Sequence, residues 1–436
     1  MVATQFEIEF RRDGTVHDEN AVAALLDGLV GITDLLVVAH GWNNDMADAR
    51  KLYDHLVTSI DAVGPNVPGI PGRQLGVLRV FWPSKKFADS DLIPGGGAAS
   101  ATTENNEALI RALEELKHDP MRLGGTDVDA ARAANVDRAI ELVDQLDASF
   151  EAQQEFVLRI RAVLNPDDAH PDDGSREFFE REPDVLFDRF REPIPVTLEA
   201  GQGGAANLGE GGAAFFGDLL EGAQAAARRI ANFATYHQMK TRAGTVGQNG
   251  LAPLLVRVRD RRPDLSLHLV GHSFGGRLVT AAGAGLPSNT DKVTMTLLQA
   301  AFSHNGLSRQ FDAQHDGAFR TLLDDRRISG PVLITHTKND LAVGIAYPLA
   351  SRIALDQAAA LGDADDPYGG MGRNGAQHTP EVSLAETELR DDTSDSAYTF
   401  ARGGVFNLLA DRFIADHGAV TGRQVANALM HAVAVE

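Results

Sequence analysis

The spacing of apolar and polar residues in the first third of the chain switches between the period of a strand and the period of a helix. Short apolar or alternating runs predict strands at 5–10, 34–39 and 75–82, and amphipathic stretches predict helices at 20–29 and 47–63. The run at 34–39 is apolar almost throughout, which is typical of a strand buried on both faces of a parallel sheet. This region therefore predicts strand, helix, strand, helix, strand.

The same alternation returns in the second half of the chain. Strands are predicted at 265–270, 292–298, 331–336 and about 405–414, and helices at 251–259, 278–284, 318–323, 343–355 and 421–433. Alternating strands and helices of this length indicate an α/β fold. We expect a doubly wound, mostly parallel sheet with right-handed crossovers.

Between the two halves the strand pattern disappears and helical spacing dominates. Helices are predicted at 105–116, 127–146, 150–164, 178–190 and 214–239, with glycine-rich stretches at 95–97 and 201–212. We predict that residues 1–84 and 247–436 form the α/β core and that residues 85–246 form a helical insertion. The alternatives are an independent helical domain on hinges, or partial disorder around 92–103 and 199–212.

Composition narrows the class of protein. With 436 residues, 43% of them apolar, the chain can bury a large core, and no apolar run reaches the roughly 18 residues of a membrane span. Its first residues lack the basic and apolar regions of a secretory signal, so we expect a cytoplasmic protein without a membrane span. The absence of cysteine excludes disulfides and thiol catalysis.

The charge of the chain bears on its partners. A net charge of −21 disfavours binding to nucleic acid, whose phosphates require a basic surface. It also disfavours docking on anionic membranes. We therefore expect no nucleic-acid partner, and composition leaves the oligomeric state open.

The pentapeptide Gly271-His272-Ser273-Phe274-Gly275 lies between a predicted strand and a helix of small residues. Strand, sharp turn and helix are the context that a G-x-S-x-G nucleophile elbow requires. Glycines allow the backbone to turn tightly, so that the serine hydroxyl projects from the turn. We predict that Ser273 is a nucleophile; the alternative is an ordinary turn between strand and helix.

A serine nucleophile needs a base to take its proton, and the base needs a carboxylate to orient it. Asp340 follows the predicted strand at 331–336, and open α/β sheets assemble their sites at this edge. Its alternative role is to cap the next helix. His417 lies between the last predicted strand and the last helix, which makes it our candidate base, and His378 is its main rival.

An oxyanion hole requires backbone N–H groups near the nucleophile. Phe274, which directly follows Ser273, and Trp42, in the loop after the strand at 34–39, are the predicted donors. Gly41 would allow close approach of the backbone to a ligand. We assign the remaining pocket-lining, substrate-binding roles to His40, Gly41, His272 and His304.

Together these residues resemble the α/β-hydrolase superfamily of serine hydrolases. The resemblance rests on His40-Gly41-Trp42, on the elbow, and on Asp340 and His417, whose order matches that of the superfamily's triad. It covers about residues 1–84 and 247–436, and implies that the insertion is the cap such enzymes often carry. Trp42 stands where the lipase and esterase subgroup with an HGGG-type loop has a further glycine.

These observations predict a serine hydrolase that cleaves a carboxylic ester of a small-molecule or lipid-like acyl substrate, without metal or cofactor. A lipase would use a helix around Phe215 and Phe216 as a lid. A serine peptidase or amidase on the same fold is the alternative enzyme, and a non-catalytic scaffold is the alternative of another class. The acidic residues Asp363, Asp365 and Asp366 lack the regular spacing of a calcium loop.

Overall fold

The structure is a computed structural model that describes residues 2–84, 101–191, 222–340, 342–343, 366–393 and 397–436. In these ranges the strands are β1 (Val2–Glu9), β2 (Asp34–Ala39), β3 (Leu75–Phe81), β4 (Ser266–His272), β5 (Val293–Leu298), β6 (Val332–His336) and β7 (Val405–Leu409). The α-helices are α1 (Glu19–Gly28), α2 (Met46–Val63), α3 (Ala101–Lys117), α4 (Ala130–Leu142), α5 (Phe150–Arg161), α6 (Ser175–Glu180), α7 (Pro183–Arg189), α8 (Ala223–Thr245), α9 (Ala252–Arg261), α10 (Phe274–Ala284), α11 (Thr321–Asp324), α12 (Met371–Asn374) and α13 (Arg423–Val435). A π-helical segment, Val246–Leu251, joins α8 to α9.

The strands form one 7-stranded sheet in the order β1-β3-β2-β4-β5-β6-β7, and neighbouring strands are parallel throughout. Strand β2 pairs on one side with β3 and on the other with β4, and it is buried along its whole length. Because the strands are parallel, their carboxyl ends, and the loops that follow them, lie at one edge of the sheet. The predicted α/β class and parallel sheet are confirmed.

Helices cover both faces of this sheet. Side chains of β2 alternate between two hydrophobic clusters, with Leu35 and Val37 in one and Leu36 and Val38 in the other. The first cluster includes residues of α1, α9 and α10, and the second includes residues of α2 and α13. Burial on both faces explains why the sequence of β2 is apolar almost throughout.

Two differences between predicted and observed elements have a clear local reason. The last strand stops at Leu409 instead of continuing to 414, because the N–H groups of Phe413 and Ile414 both donate to Ala410 O in a turn. The predicted helix at 178–190 is divided into α6 and α7. Pro183 disfavours helical backbone at the residue before it, and Glu182 is accordingly extended with ψ 140°.

The described helices between β3 and β4 share a core with the sheet. Phe178 and Phe233 of this layer pack with ring centroids 4.6 Å apart, and they belong to the same cluster as Val80 of β3. The predicted glycine-rich stretches at 95–97 and 201–212, and the proposed lid residues at 215 and 216, lie outside the described residues.

The longest described helix, α8, has 23 residues and buries polar as well as apolar side chains. Its buried charged residues include Arg229, Lys240 and Arg242. Lys240 forms an ion pair with Asp173, and such pairing is what makes a buried charge tolerable. No helix in the described part of the chain combines the length and apolar character needed to cross a bilayer.

Two glycines near the end of α8 make a matched test of this packing. A Cβ at Gly247 would overlap Leu278 O of α10, whereas a Cβ at Gly244 would meet its nearest atom, Arg277 Nε, at 3.6 Å. We expect Gly247→Ala to lower the free energy of unfolding by about 1–3 kcal/mol through overpacking. Gly244→Ala should raise it by about 0.5–1 kcal/mol, because alanine favours the helix. Urea denaturation measures both, and equal effects would contradict this packing.

Candidate functional site

Ser273 occupies the turn between β4 and α10 with φ 56° and ψ −124°. Positive φ is uncommon for a residue with a side chain, and holding such backbone costs about 1–3 kcal/mol. Neighbouring backbone holds the turn, since Ser273 N donates to Leu298 O at 3.0 Å and Ser273 O accepts from Ala301 N at 3.0 Å. The sequence prediction of a sharp strand-to-helix turn at this serine agrees with this backbone.

The glycines of the pentapeptide allow the turn to pack closely. A Cβ at Gly275 would overlap the carbonyl oxygens of Ala39 and His40, and one at Gly271 would overlap Gly275 O. The loop after β2 approaches equally closely, because a Cβ at Gly41 would lie 2.8 Å from Ser273 Cβ. The fold thus brings the loop after β2 against the turn after β4.

Asp340 and His417 form a hydrogen bond at the same edge of the sheet. His417 Nδ1 donates to Asp340 Oδ2 at 2.8 Å, and the Asp340 side chain is fully buried. Burial by itself disfavours the charged imidazolium, but the adjacent carboxylate outweighs it, so the pKa of His417 is raised above its ordinary value. Asp340 Oδ1 also accepts from Val343 N at 2.9 Å, so the capping contact and the contact with histidine coexist.

Asp411 explains why the loops after β6 and β7 meet. Its Oδ1 accepts from Thr337 Oγ1 at 2.6 Å and from Lys338 N at 3.0 Å. The Asn339 amide also crosses between the loops, donating to Ile414 O at 2.9 Å. Because β6 and β7 are neighbours in the sheet, these bonds lock the loop of Asp340 to the loop of His417.

Gln299, which sequence reasoning missed, supports the carboxylate. It follows β5, and its Nε2 donates to Asp340 Oδ2 at 3.3 Å and to Gly372 O at 2.8 Å. Its Oε1 accepts from Thr335 Oγ1 at 2.8 Å, which fixes the orientation of the amide. The available signal was a polar residue directly after a buried strand, the same signal that pointed to Asp340.

His272, predicted to bind substrate, contacts the loop of His417. Its Nε2 donates to His417 O at 2.8 Å, and the two rings lie 4.9 Å apart. Burial lowers the pKa of His272 to about 3, so the ring is neutral at physiological pH. His272 directly precedes Ser273 and therefore links the turn after β4 to the loop of His417.

His40 lies fully buried beneath the loop after β2. Its ring stacks on Trp82 at a centroid distance of 5.8 Å, and its Nδ1 donates to Gly41 O at 2.9 Å. Burial lowers its pKa to about 4. These contacts support the backbone of Gly41, and the ring itself is enclosed by protein.

The other two predicted histidines lie in the loops after β5 and α12. His304 is fully buried, and its Nε2 accepts from Gly369 N at 3.3 Å. Burial lowers the pKa of His304 to about 3. His378 is exposed and lines a cavity of about 580 Å³ with Asp366 and Tyr368. Of the two candidate bases, His417 is the one hydrogen-bonded to Asp340.

The two predicted oxyanion donors have neighbouring side chains. Phe274 is the first residue of α10, so its N–H is among those that a helix leaves without an internal partner. The Trp42 and Phe274 rings lie 6.0 Å apart. The ring centroid of Tyr236 of α8 lies 5.0 Å from that of Phe274, so an aromatic side chain of the helical layer packs beside the turn.

In the part of the chain that the structure describes, no group of three or more His, Asp or Glu side chains could hold a metal ion. Asp366 lies within them, whereas Asp363 and Asp365 of the same acidic cluster lie outside.

Comparisons with known proteins add no family to this geometry. No protein-family model matches the chain, and neither a curated protein nor a solved structure was found to match it. The fold itself is a single parallel sheet with helices on both faces.

Replacing Asp340 by asparagine tests the electrostatics of this pair. Without this carboxylate, burial is opposed only by the weaker effect of Asp416, so the pKa of His417 should fall below the ordinary value of about 6.5. Asp416→Asn is the matched control, because Asp416 is a weaker contributor to the same shift and should have a smaller effect. NMR titration of the histidine ring protons measures both. An unchanged pKa in Asp340→Asn would contradict the ion pair.

The same pair predicts a pH dependence of stability. The pKa of His417 is higher in the folded protein than in the unfolded chain. Its pairing with Asp340 therefore contributes fully to the free energy of unfolding below the pKa of the unfolded state. This contribution is lost as the pH rises through the pKa of the folded state. Asp340→Asn should therefore destabilise the protein more near pH 6 than in alkaline solution. Denaturant titrations of both proteins across this range measure the difference.

Proposed function

We propose that this protein is a serine hydrolase of the α/β-hydrolase type, in which Ser273, His417 and Asp340 act together. The observation that carries the proposal is the hydrogen bond from His417 to buried Asp340, beside a strained turn that contains Ser273. The contact between His272 and His417 supports the proximity of the two loops. The loop of Gly41 approaches the same serine.

In the proposed reaction, Ser273 Oγ attacks an acyl carbonyl while its proton passes to His417 Nε2. Asp340 holds Nδ1 and stabilises the imidazolium that forms. Collapse of the tetrahedral intermediate breaks the bond to the leaving oxygen, which takes the proton and departs as an alcohol. Water then gives a proton to His417 as it attacks the acyl-enzyme. The bond from the acyl carbon to Ser273 Oγ breaks, His417 returns the proton to that oxygen, and the carboxylic acid leaves.

The oxyanion in this proposal is held by the N–H groups of Phe274 and Trp42. Phe274 lies at the start of α10, where the helix dipole also favours negative charge. Loss of one such donor typically costs about 2.7–4 kcal/mol of transition-state stabilisation.

A carboxylic ester is the proposed substrate class. An alkoxide leaving group needs less protonation than the amine of an amide. The rings of Trp42, Phe274 and Tyr236 pack into an apolar cluster beside the turn of Ser273, and Tyr236 belongs to the helical insertion. In this view the insertion is a cap that shapes the acyl pocket and excludes water.

Covalent labelling tests the nucleophile. A fluorophosphonate probe should modify Ser273, and mass spectrometry of the digested protein locates the adduct. Ser273→Ala should abolish labelling, and His417→Ala should slow it strongly. With p-nitrophenyl esters, loss of either residue should reduce kcat by about 10³-fold or more.

Ser266→Ala is a control for the labelling experiment, because Ser266 lies at the start of β4, the opposite end from Ser273, and should leave the adduct unchanged. A well-folded protein without any adduct would favour a non-catalytic scaffold. If the probe labels Ser273 and the protein cleaves peptide amides but not esters, Ser273 remains the nucleophile and the substrate is an amide.

Gly41 provides a test that spares the proposed triad. A Cβ at this position would lie 2.8 Å from Ser273 Cβ and 3.1 Å from His272 Nδ1. We expect Gly41→Ala to reduce kcat by roughly tenfold to 10²-fold, because a misplacement of about 1 Å can cost that much. Gly244→Ala, which has room for its methyl group, is the control. Full activity in Gly41→Ala would argue against catalysis at this contact.

A further inference from the structure

Gln299 directly follows β5, and its backbone is strained. Its φ is 45°, a left-handed conformation that glycine adopts readily and that is uncommon for a residue with a Cβ. Such backbone persists only where the surrounding structure holds it, and it clusters at functional sites. The chain thus carries a fully buried side chain at a position where glycine would relieve the strain. This cost suggests a role for the amide.

Hydrogen bonds fix which end of the Gln299 amide faces Asp340. Thr335 Oγ1 accepts from Gln299 N at 3.2 Å, so its own proton is available to Gln299 Oε1, 2.8 Å away. At the other end, Gln299 Nε2 donates to Gly372 O at 2.8 Å, and a carbonyl oxygen can only accept. The second hydrogen of Nε2 is left for Asp340 Oδ2 at 3.3 Å.

Gly372 allows its carbonyl to reach this amide. A Cβ at Gly372 would lie 2.5 Å from the carbonyl carbon of Gln299 and 2.8 Å from its Cα. The same Gly372 O accepts from Thr337 N at 3.0 Å, and Thr337 belongs to the loop that carries Asp340. One carbonyl therefore ties the amide and the loop of the carboxylate together.

Both oxygens of Asp340 have fixed donors. Oδ1 accepts from Val343 N at 2.9 Å, and Oδ2 accepts from His417 Nδ1 at 2.8 Å as well as from Gln299. The carboxylate is fully buried, so bulk water does not replace a donor that is lost. Because an amide does not titrate, Gln299 donates to the carboxylate at every pH.

We propose that Gln299 is a positioning residue for the reaction proposed above, which holds Asp340 Oδ2 toward His417 so that the imidazole keeps the orientation that proton transfer from Ser273 requires. Gln299 has no exposed surface, so it acts through Asp340 and does not touch the substrate. Its effect on turnover rests on the proposed function, whereas its effect on the Asp340–His417 pair can be measured without turnover.

NMR titration of the His417 ring protons tests this effect on the pair. Gln299→Met removes the donor at similar volume, so the carboxylate is held less firmly against the imidazolium while burial still opposes its charge. The pKa of His417 should therefore fall, though less than in Asp340→Asn. In the Asp340→Asn background, Gln299→Met should cause no further fall, because the two residues act in series.

Hydrolysis of p-nitrophenyl esters is the second measurement. Gln299→Met should reduce kcat by roughly tenfold to 10²-fold with little change in KM, because a small misplacement of a catalytic group slows the chemical step. Thr335→Val releases one end of the amide and should have a smaller effect in the same direction.

Two controls separate positioning from packing. Thr296→Val matches Thr335→Val, because Thr296 is a buried residue of β5 whose Oγ1 has no partner among the described residues. Gln153→Met matches the loss of a buried amide, since Gln153 Nε2 donates to Leu146 O and Gln153 Oε1 accepts from Arg191 Nη2 at 2.8 Å. Neither control should change the pKa of His417 or kcat.

A lower pKa of His417 in Gln299→Met, absent from both controls, supports the proposal. An unchanged or higher pKa, or equal effects of Gln299→Met and Gln153→Met, overturns it and leaves Gln299 with a packing role. A lower pKa in a protein that hydrolyses no ester contradicts the hydrolase function but supports the role of Gln299 in the pair. If Gln299→Met fails to fold by circular dichroism, Thr335→Val decides by the same criteria.

Discussion

The parallel pairing of the strands is the constraint on which the rest of the structure depends. It brings the loops after β2, β4, β5, β6 and β7 to one edge of the sheet, although they are distant in sequence. Register then decides which residues meet there. Because β6 and β7 pair directly, bonds through Asp411 can join the loops that carry Asp340 and His417.

Burial sets the electrostatics of this edge. Desolvation favours the neutral ring of a histidine, and it holds the pKa values of His40 and His272 far below the ordinary value. His417 differs because the carboxylate of Asp340 outweighs the same penalty. The neutral rings of His40 and His272 thus donate hydrogen bonds to backbone carbonyl groups. The ring of His417 instead lies beside a carboxylate that stabilises its protonated form.

Much of the fold was predictable because hydrophobic periodicity reports local burial. The limits of β2 were predicted to the residue, since a strand buried on both faces carries an almost continuous apolar run. The end of β7 and the division at Pro183 were not predicted. Both depend on turn geometry and on the conformation before proline, which apolar spacing does not record.

The sequence by itself determined the alternation of strands and helices, the pentapeptide around Ser273, and the choice of Asp340 and His417 as candidates. Only the tertiary structure decided that His417 rather than His378 pairs with Asp340, and that Gln299 supports the same carboxylate. The reason is physical: composition and spacing describe neighbours along the chain, whereas hydrogen bonds and desolvation depend on which distant side chains the sheet brings together.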